Sequence, residues 1–343
     1  MQNIFHVDRE KLALKRGLIV VAVVAAAALL EMVFGDAALF GIGALIAAYF
    51  VSRVGFHKRG RQRWSYMGIA IAAGVTLSLL SLVVGDDTLR AIILWPVTIY
   101  LAGLAVAYGK SVFYAGYFLV FWVLFAMLAA SRSPGEPIYY AASFLVGGII
   151  ALIVMAVRLR FGWIDDSAME PTSTPRLRDV AKSDIGVFAA MWALTMAVAV
   201  GLGYTFWSVE PFWVASTLLV VMQPDVAKGR RTGIQRAIGS AVGGLLALTI
   251  ITAFPDFVTS GFFVLYFLVA TALCVMFYWA NYMIYAFFMT QAVVIYYGHE
   301  VGNFTLAGGQ RMIGVLLGVV IGIVGLALQS AIIKSRKQRN KTA

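Results

Sequence analysis

Cysteine occurs once, as Cys274 inside an apolar run, so neither a disulfide framework nor a thiolate metal cluster can organise this chain. Histidine is nearly as scarce. His6, His57 and His299 are scattered among loops or tails without paired ligand spacing, and no metal is expected. Charge is thin as well: 13% of the 343 residues are Asp, Glu, Lys or Arg, against 62% hydrophobic. That leaves too little polar surface to cover a water-soluble core, so lipid must serve as solvent. No P-loop, nucleophile elbow or Gly-rich dinucleotide fingerprint stands in a strand-to-helix context. No catalytic residue, no cofactor and no enzymatic activity is therefore expected.

What the chain has in abundance is long apolar runs. Stretches of roughly 17 to 25 residues match a hydrocarbon core of about 30 Å, and they recur from Leu14 to Ala331. The expected spans are 14–34, 37–52, 64–84, 89–108, 112–130, 138–157, 184–204, 211–223, 234–254, 260–278, 282–297 and 306–331. The stretch from Leu18 to Phe34 exceeds an ordinary signal-peptide core and reads as a retained first span. The fold class is an all-α polytopic membrane protein of about a dozen helices embedded in the lipid bilayer.

The net charge of +11 could suggest nucleic acid, but the basic residues sit between apolar spans rather than on one soluble face. With the N-terminus in the cytoplasm, nearly all Lys and Arg fall inside, and only Arg90, Arg132 and Arg311 fall outside. One missed helix would invert every later loop, so this asymmetry supports twelve spans with both termini cytoplasmic. Four segments follow: a six-helix bundle over 1–157, a Pro- and Ser-containing cytoplasmic linker over 158–183, a second six-helix bundle over 184–333, and a basic cytoplasmic tail over 334–343.

Shifting the sequence by 171 positions superposes Gly68 on Gly239, Tyr114 on Tyr285 and Gly147 on Gly318, as two parallel repeats would. Inside the second half a sharper match appears at a shift of 75. It lays Gln235-Arg236-Ala237-Ile238-Gly239 with Gly243 on Gln310-Arg311-Met312-Ile313-Gly314 with Gly318, and Asp225 on Glu300. Three spans separate the copies, so they face opposite sides of the membrane, the arrangement of an inverted repeat around a midplane site. Gly239, Gly243, Gly314, Gly318 and Gly322 read as small-residue faces for close helix packing, or equally for self-association into a homo-oligomer.

Each copy carries an acid and a base eleven positions apart, Asp225 with Arg236 and Glu300 with Arg311. They are either solvated loop ends and helix caps or a pair of charged gates, with Asp225 and Glu300 available for proton coupling. Arg311 is the informative member, because a basic residue at an external helix start works against the orientation rule. Asn281, Thr290 and Gln291 are polar side chains at or within aromatic-rich spans, where burial demands partners or a wet cavity. Together with Tyr285, Trp213 and the two arginines they form the candidate binding set for a small organic anion.

The segments Glu210-Pro211-Phe212-Trp213-Val214-Ala215-Ser216-Thr217, Gln223-Pro224-Asp225 and Gln235 to Gly244 resemble the fusaric acid resistance family, related to aromatic acid exporters. The likeness is strongest over about residues 184–330 and carries over Trp213, Asp225, Arg236, Gly239 and Gly243 as motif positions. It implies an exporter of small, often aromatic, carboxylic acids in a bacterial inner membrane, driven by the proton gradient and in some members working with a periplasmic adaptor. Larger members hold a soluble domain where this chain has only the loop from Arg158 to Ser183. An organic-anion channel and a membrane scaffold without a solute stay open as alternatives at this point.

Overall fold

Backbone groups in lipid must be satisfied without water, which leaves helices or closed barrels as spanning structures; in the computed structural model every described element is helical. The structure describes residues 7, 44, 47–48, 50–52, 54, 60–84, 88–108, 113, 116–117, 119–122, 136–161, 182–205, 211–254, 262–278 and 280–342. Among them run α1 (Gly60–Val84), α2 (Thr88–Leu104) with a 3-10 turn at Ala105–Tyr108, α3 (Glu136–Arg160), α4 (Lys182–Thr205) and α5 (Pro211–Val221). Then follow α6 (Val226–Ala253), α7 (Phe262–Phe277), α8 (Tyr282–Val301) and α9 (Phe304–Thr342). The expected span 14–34 lies outside the described residues, as do most of 37–52, 112–130 and the linker 158–183.

Segments 60–81, 138–160, 184–202, 226–253 and 304–339 are long and apolar enough to cross a bilayer, while 92–107, 212–221, 265–274 and 282–295 are apolar but shorter. The chain is a multi-pass helical membrane protein. Two boundaries differ most from expectation. Helix α6 begins at Val226 rather than near 234, because Asp225 caps it: the Asp225 carboxylate accepts from the backbone N–H groups of Ala227 and Lys228. Helix α9 runs unbroken over 39 residues, past the expected end at 331.

The chain divides into two units, one of residues 27–197 and one of residues 1–26 with 198–343, the division falling within α4. In the first, α1 packs along α3. Its core gathers Val51, Met67, Ile71, Trp122, Phe144 and Met155. Trp122 Nε1 donates to Ser78 Oγ at 2.8 Å, and Ser78 Oγ in turn donates to the Gly74 carbonyl at 2.8 Å, so the buried indole N–H has its acceptor.

In the second unit α6 is central, packing against α8, α9 and α5, while α9 also lies on α5 and α8. The polarity of α6 is the reverse of a water-soluble helix. Its buried face is Gly229, Gly233, Gln235, Arg236, Gly239, Ser240, Gly243, Gly244 and Ala247. Its outward face is Ile234, Ile238, Val242, Leu245 and Leu246, exposed by 38% to 57%. Aliphatic residues outward and small or polar residues inward are what a helix solvated by lipid requires. Gly302, at φ +67, turns α8 into α9, and Asn303 Oδ1 accepts from Leu306 N at 2.9 Å to cap the new helix.

Candidate functional site

Helix α5 sets the level of the site. Its 11 residues rise about 16 Å, half of a hydrocarbon core. Pro211 occupies the first helical position, where its missing N–H is harmless. At the other end Gln223 Nε2 donates to the Val220 carbonyl at 3.0 Å, and Pro224 precludes continuation.

One turn of α5 reaches both arginines. Arg236 of α6 is buried, with Nε donating to Thr217 Oγ1 at 3.2 Å and Nη1 donating to the Tyr282 hydroxyl at 2.8 Å. It thereby ties α6 to α5 and α8 at once. Thr217 Oγ1 passes the bond on, donating to the Trp213 carbonyl at 2.8 Å. Arg311 of α9, 2% exposed, stands 4.4 Å over the Trp213 ring. Its Nε lacks a hydrogen-bond partner among the described residues, and so does Trp213 Nε1. Each guanidinium lies within electrostatic reach of the other.

Further polar groups line the same helices. Thr290 Oγ1 of α8 donates to Ser240 Oγ of α6 at 2.9 Å, fully buried. The Tyr266 hydroxyl donates to Gln291 Oε1, while Gln291 Nε2 and Gln310 Oε1 are without partners among the described residues. Aromatic rings surround them: Tyr285 meets Tyr278 at 4.9 Å and Tyr282 at 5.1 Å, and Trp213 meets Phe212 at 4.8 Å and Tyr297 at 5.7 Å.

Of the residues singled out from the sequence, the structure brings Arg236, Arg311 and Trp213 together through α5. Tyr285 and the Thr290–Gln291 pair line α8 beside α6. Asn281 serves the helix instead, since its Oδ1 accepts from Met283 N at 2.9 Å and Ile284 N at 3.2 Å and so caps α8. Asp225 caps α6 from an exposed position, and three turns of helix, about 16 Å of rise, separate it from Arg236. Arg236 and Arg311 are thus buried within helices rather than solvated loop ends. Glu300 lies in α8, its side chain outside the described residues. Thr217 and Ser240, which receive the bonds of Arg236 and Thr290, carry no signal in the sequence beyond standing in the motif segments.

Asp225 offers a clean separation of cap from charge. Asp225→Asn is expected to keep the unfolding temperature of the parent, since Asn caps as well as Asp, whereas Asp225→Ala loses about 1 kcal/mol. Equal losses in a thermal unfolding series would mean that the charge, not the cap, is what the fold uses.

The glycines of the motif are contact points. A Cβ on Gly243 would collide with the Phe287 backbone of α8, and one on Gly239 with the Met283 carbonyl. On α9, a Cβ on Gly318 would stand 2.7 Å from Thr217 Cβ and 2.8 Å from the Val214 carbonyl of α5. Close approach of backbones is the role of small residues where lipid supplies no hydrophobic drive.

No curated protein and no solved structure matches the chain. A family model does match, that of fusaric acid resistance protein-like proteins, over residues 188–325. Every member of the cluster, from Trp213 on α5 to Arg311 on α9, lies inside the matched stretch, and over that stretch the chain is similar to fusaric acid resistance protein-like proteins.

Proposed function

We propose that this protein is a secondary transporter exporting small organic anions, aromatic carboxylic acids foremost, across a bacterial inner membrane at the expense of the proton gradient. One observation carries this reading: Arg311 is buried in the bundle with an Nε–H that is unspent among the described residues, over a tryptophan whose own N–H is likewise unspent among them. A buried cation in lipid faces the bundle interior and marks a solute or ion path. A carboxylate would accept from both N–H groups and relieve the repulsion between Arg311 and Arg236, and the rings of Trp213, Tyr282 and Tyr285 would flank an aromatic ligand.

The shift of 75 positions pairs α5 with α8 and α6 with α9. Gly243 of α6 rests on Phe287 of α8, and Gly318 of α9 rests on Val214 and Thr217 of α5. This exchange of partners supports an inverted repeat whose halves rock about the arginine pair, one facing each side of the membrane. Asp225 and Glu300 are the carboxylates of the two copies at which protons would be exchanged.

The test is accumulation of aromatic carboxylates by inside-out vesicles, with and without a proton gradient, for the parent, Arg236→Gln and Arg311→Gln. Uphill accumulation is expected for the parent, abolished by a protonophore. Each variant should lose about 30-fold or more in rate, the equivalent of about 2 kcal/mol for one partner of a buried charge contact. Downhill flux alone would make the protein a channel, and flux unchanged by either substitution would remove the arginines from the path.

A further inference from the structure

Helix α7 carries polar groups that neither the arginine pair nor the motif glycines explain. Thr271 and Cys274 stand three residues apart on one face of α7, and Tyr278 continues that face just past the helix end. The face meets α8: Cys274 Sγ lies 3.8 Å from Met289 Sδ, and the Tyr278 ring stands 4.9 Å from that of Tyr285. Tyr285 in turn meets Tyr282 at 5.1 Å, and the Tyr282 hydroxyl accepts from Arg236 Nη1 at 2.8 Å. Cys274 itself is buried, within electrostatic reach of Arg236, Arg311, Tyr282 and Tyr285. The site built on α5, α6, α8 and α9 therefore has α7 as a further wall.

One turn from Cys274, about 4.5 Å of rise, Thr271 departs from the habit of the helical threonines around it. A threonine in an apolar helix ordinarily spends its hydroxyl proton on the carbonyl four residues back. Thr98, Thr195, Thr217, Thr249 and Thr252 all do so, at 2.8 to 2.9 Å. Thr271 does not. Its Oγ1 is buried and has no hydrogen-bond partner among the described residues, so the local remedy at the Phe267 carbonyl is not taken. A buried hydroxyl left in that condition is destabilising until something outside the fold pairs with it.

We infer that α7 reads the ring end of the transported anion. With the carboxylate at Arg311 and Trp213, the Thr271 hydroxyl hydrogen-bonds a polar substituent on the ring opposite the carboxylate, and the sulfurs of Cys274 and Met289 pack against the ring itself. The inference rests on the anion site of the transport reading and adds a substrate class to it: aromatic carboxylates with a hydrogen-bonding group at the far end of the ring. A hydroxyl both donates and accepts, so an amino or a hydroxyl substituent suits Thr271 equally. A methyl group in the same place leaves the buried hydroxyl unpaired, which is the basis on which polar sites reject apolar analogues.

The experiment titrates the full chain in nanodiscs, by calorimetry, with 4-aminobenzoate and with 4-methylbenzoate, which match in charge and closely in shape. The parent is expected to bind the amino compound about fivefold or more tightly, the effect of one hydrogen bond. Thr271→Val should lose that preference while binding 4-methylbenzoate as the parent does and unfolding at no lower temperature. Thr271→Ser should retain the preference. A parent that binds both anions equally, or a Thr271→Val protein that keeps the preference, would overturn the inference and leave the anion site standing, with Arg311→Gln still losing 4-methylbenzoate. Equal loss of both anions in Thr271→Val would also overturn it, making Thr271 a packing residue. No binding of either anion by the parent would remove the anion site itself, and the inference with it.

Discussion

Replacing Gly243 with leucine is expected to leave no folded protein that survives size-exclusion chromatography in detergent, while Gly309→Ala should raise the unfolding temperature. Both residues are helical glycines in the same unit, and they differ in what a side chain would meet. At Gly243 the added Cβ would overlap the Phe287 carbonyl and lie 3.1 Å from its Cα, so a backbone rather than a movable side chain would have to give way. The contact broken is that of α6 on α8, the most extensive helix pair in the unit. Overpacking a core costs about 1 to 3 kcal/mol when side chains can adjust, and more when backbones must separate. At Gly309 nothing lies within 4 Å of the added atom, and alanine gains about 0.4 to 1 kcal/mol by restricting the unfolded chain. A folded Gly243→Leu protein would show that α6 and α8 can part without loss of the bundle.

The sequence makes some of this legible and hides the rest for definite reasons. Pro211 and Pro224 bracket a short α5, and both boundaries follow from proline chemistry alone. The start of α6 is hidden, because Lys228, Gly229, Arg230, Arg231 and Gly233 look like a polar loop. Their helicity depends on the Asp225 cap and on the burial of Gly229 and Gly233 against α5 and α9, which is tertiary information. Asn281 is conspicuous as a polar residue among aromatics, yet an Asn just ahead of an apolar run is also an N-cap signal, and that local reading matches the structure. Arg311 stands out because it opposes the charge asymmetry of the loops, and burial gives that anomaly its physical meaning. Its nearness to Arg236 cannot be read from spacing. It depends on Thr217 and Trp213 lying one turn apart on a third helix. The span 14–34 and most of 37–52 and 112–130 lie outside the described residues, so the count of twelve spans rests on loop charge.

Arg311→Met is expected to abolish transport and at the same time to stabilise the protein by about 1 to 4 kcal/mol, the range seen when buried ionic groups give way to apolar side chains of similar volume. Arg236→Met should do the opposite to stability. Arg236 donates from Nε to Thr217 and from Nη1 to Tyr282, on two different helices, and its loss strands a half-buried phenol and loosens α6 from both neighbours. A penalty of about 1 to 3 kcal/mol follows from leaving such groups unpaired. Arg311 holds no hydrogen bond at Nε among the described residues, and the face of the Trp213 ring is what its charge rests on. Methionine keeps the contact with that ring through its sulfur and removes the desolvated cation. Thermal unfolding of both variants, beside flux of an aromatic carboxylate, separates the two roles. A drop in unfolding temperature for Arg311→Met as large as that for Arg236→Met would make Arg311 a structural tie. A rise, with flux lost, would identify a charge that the fold tolerates for the sake of the anion it meets.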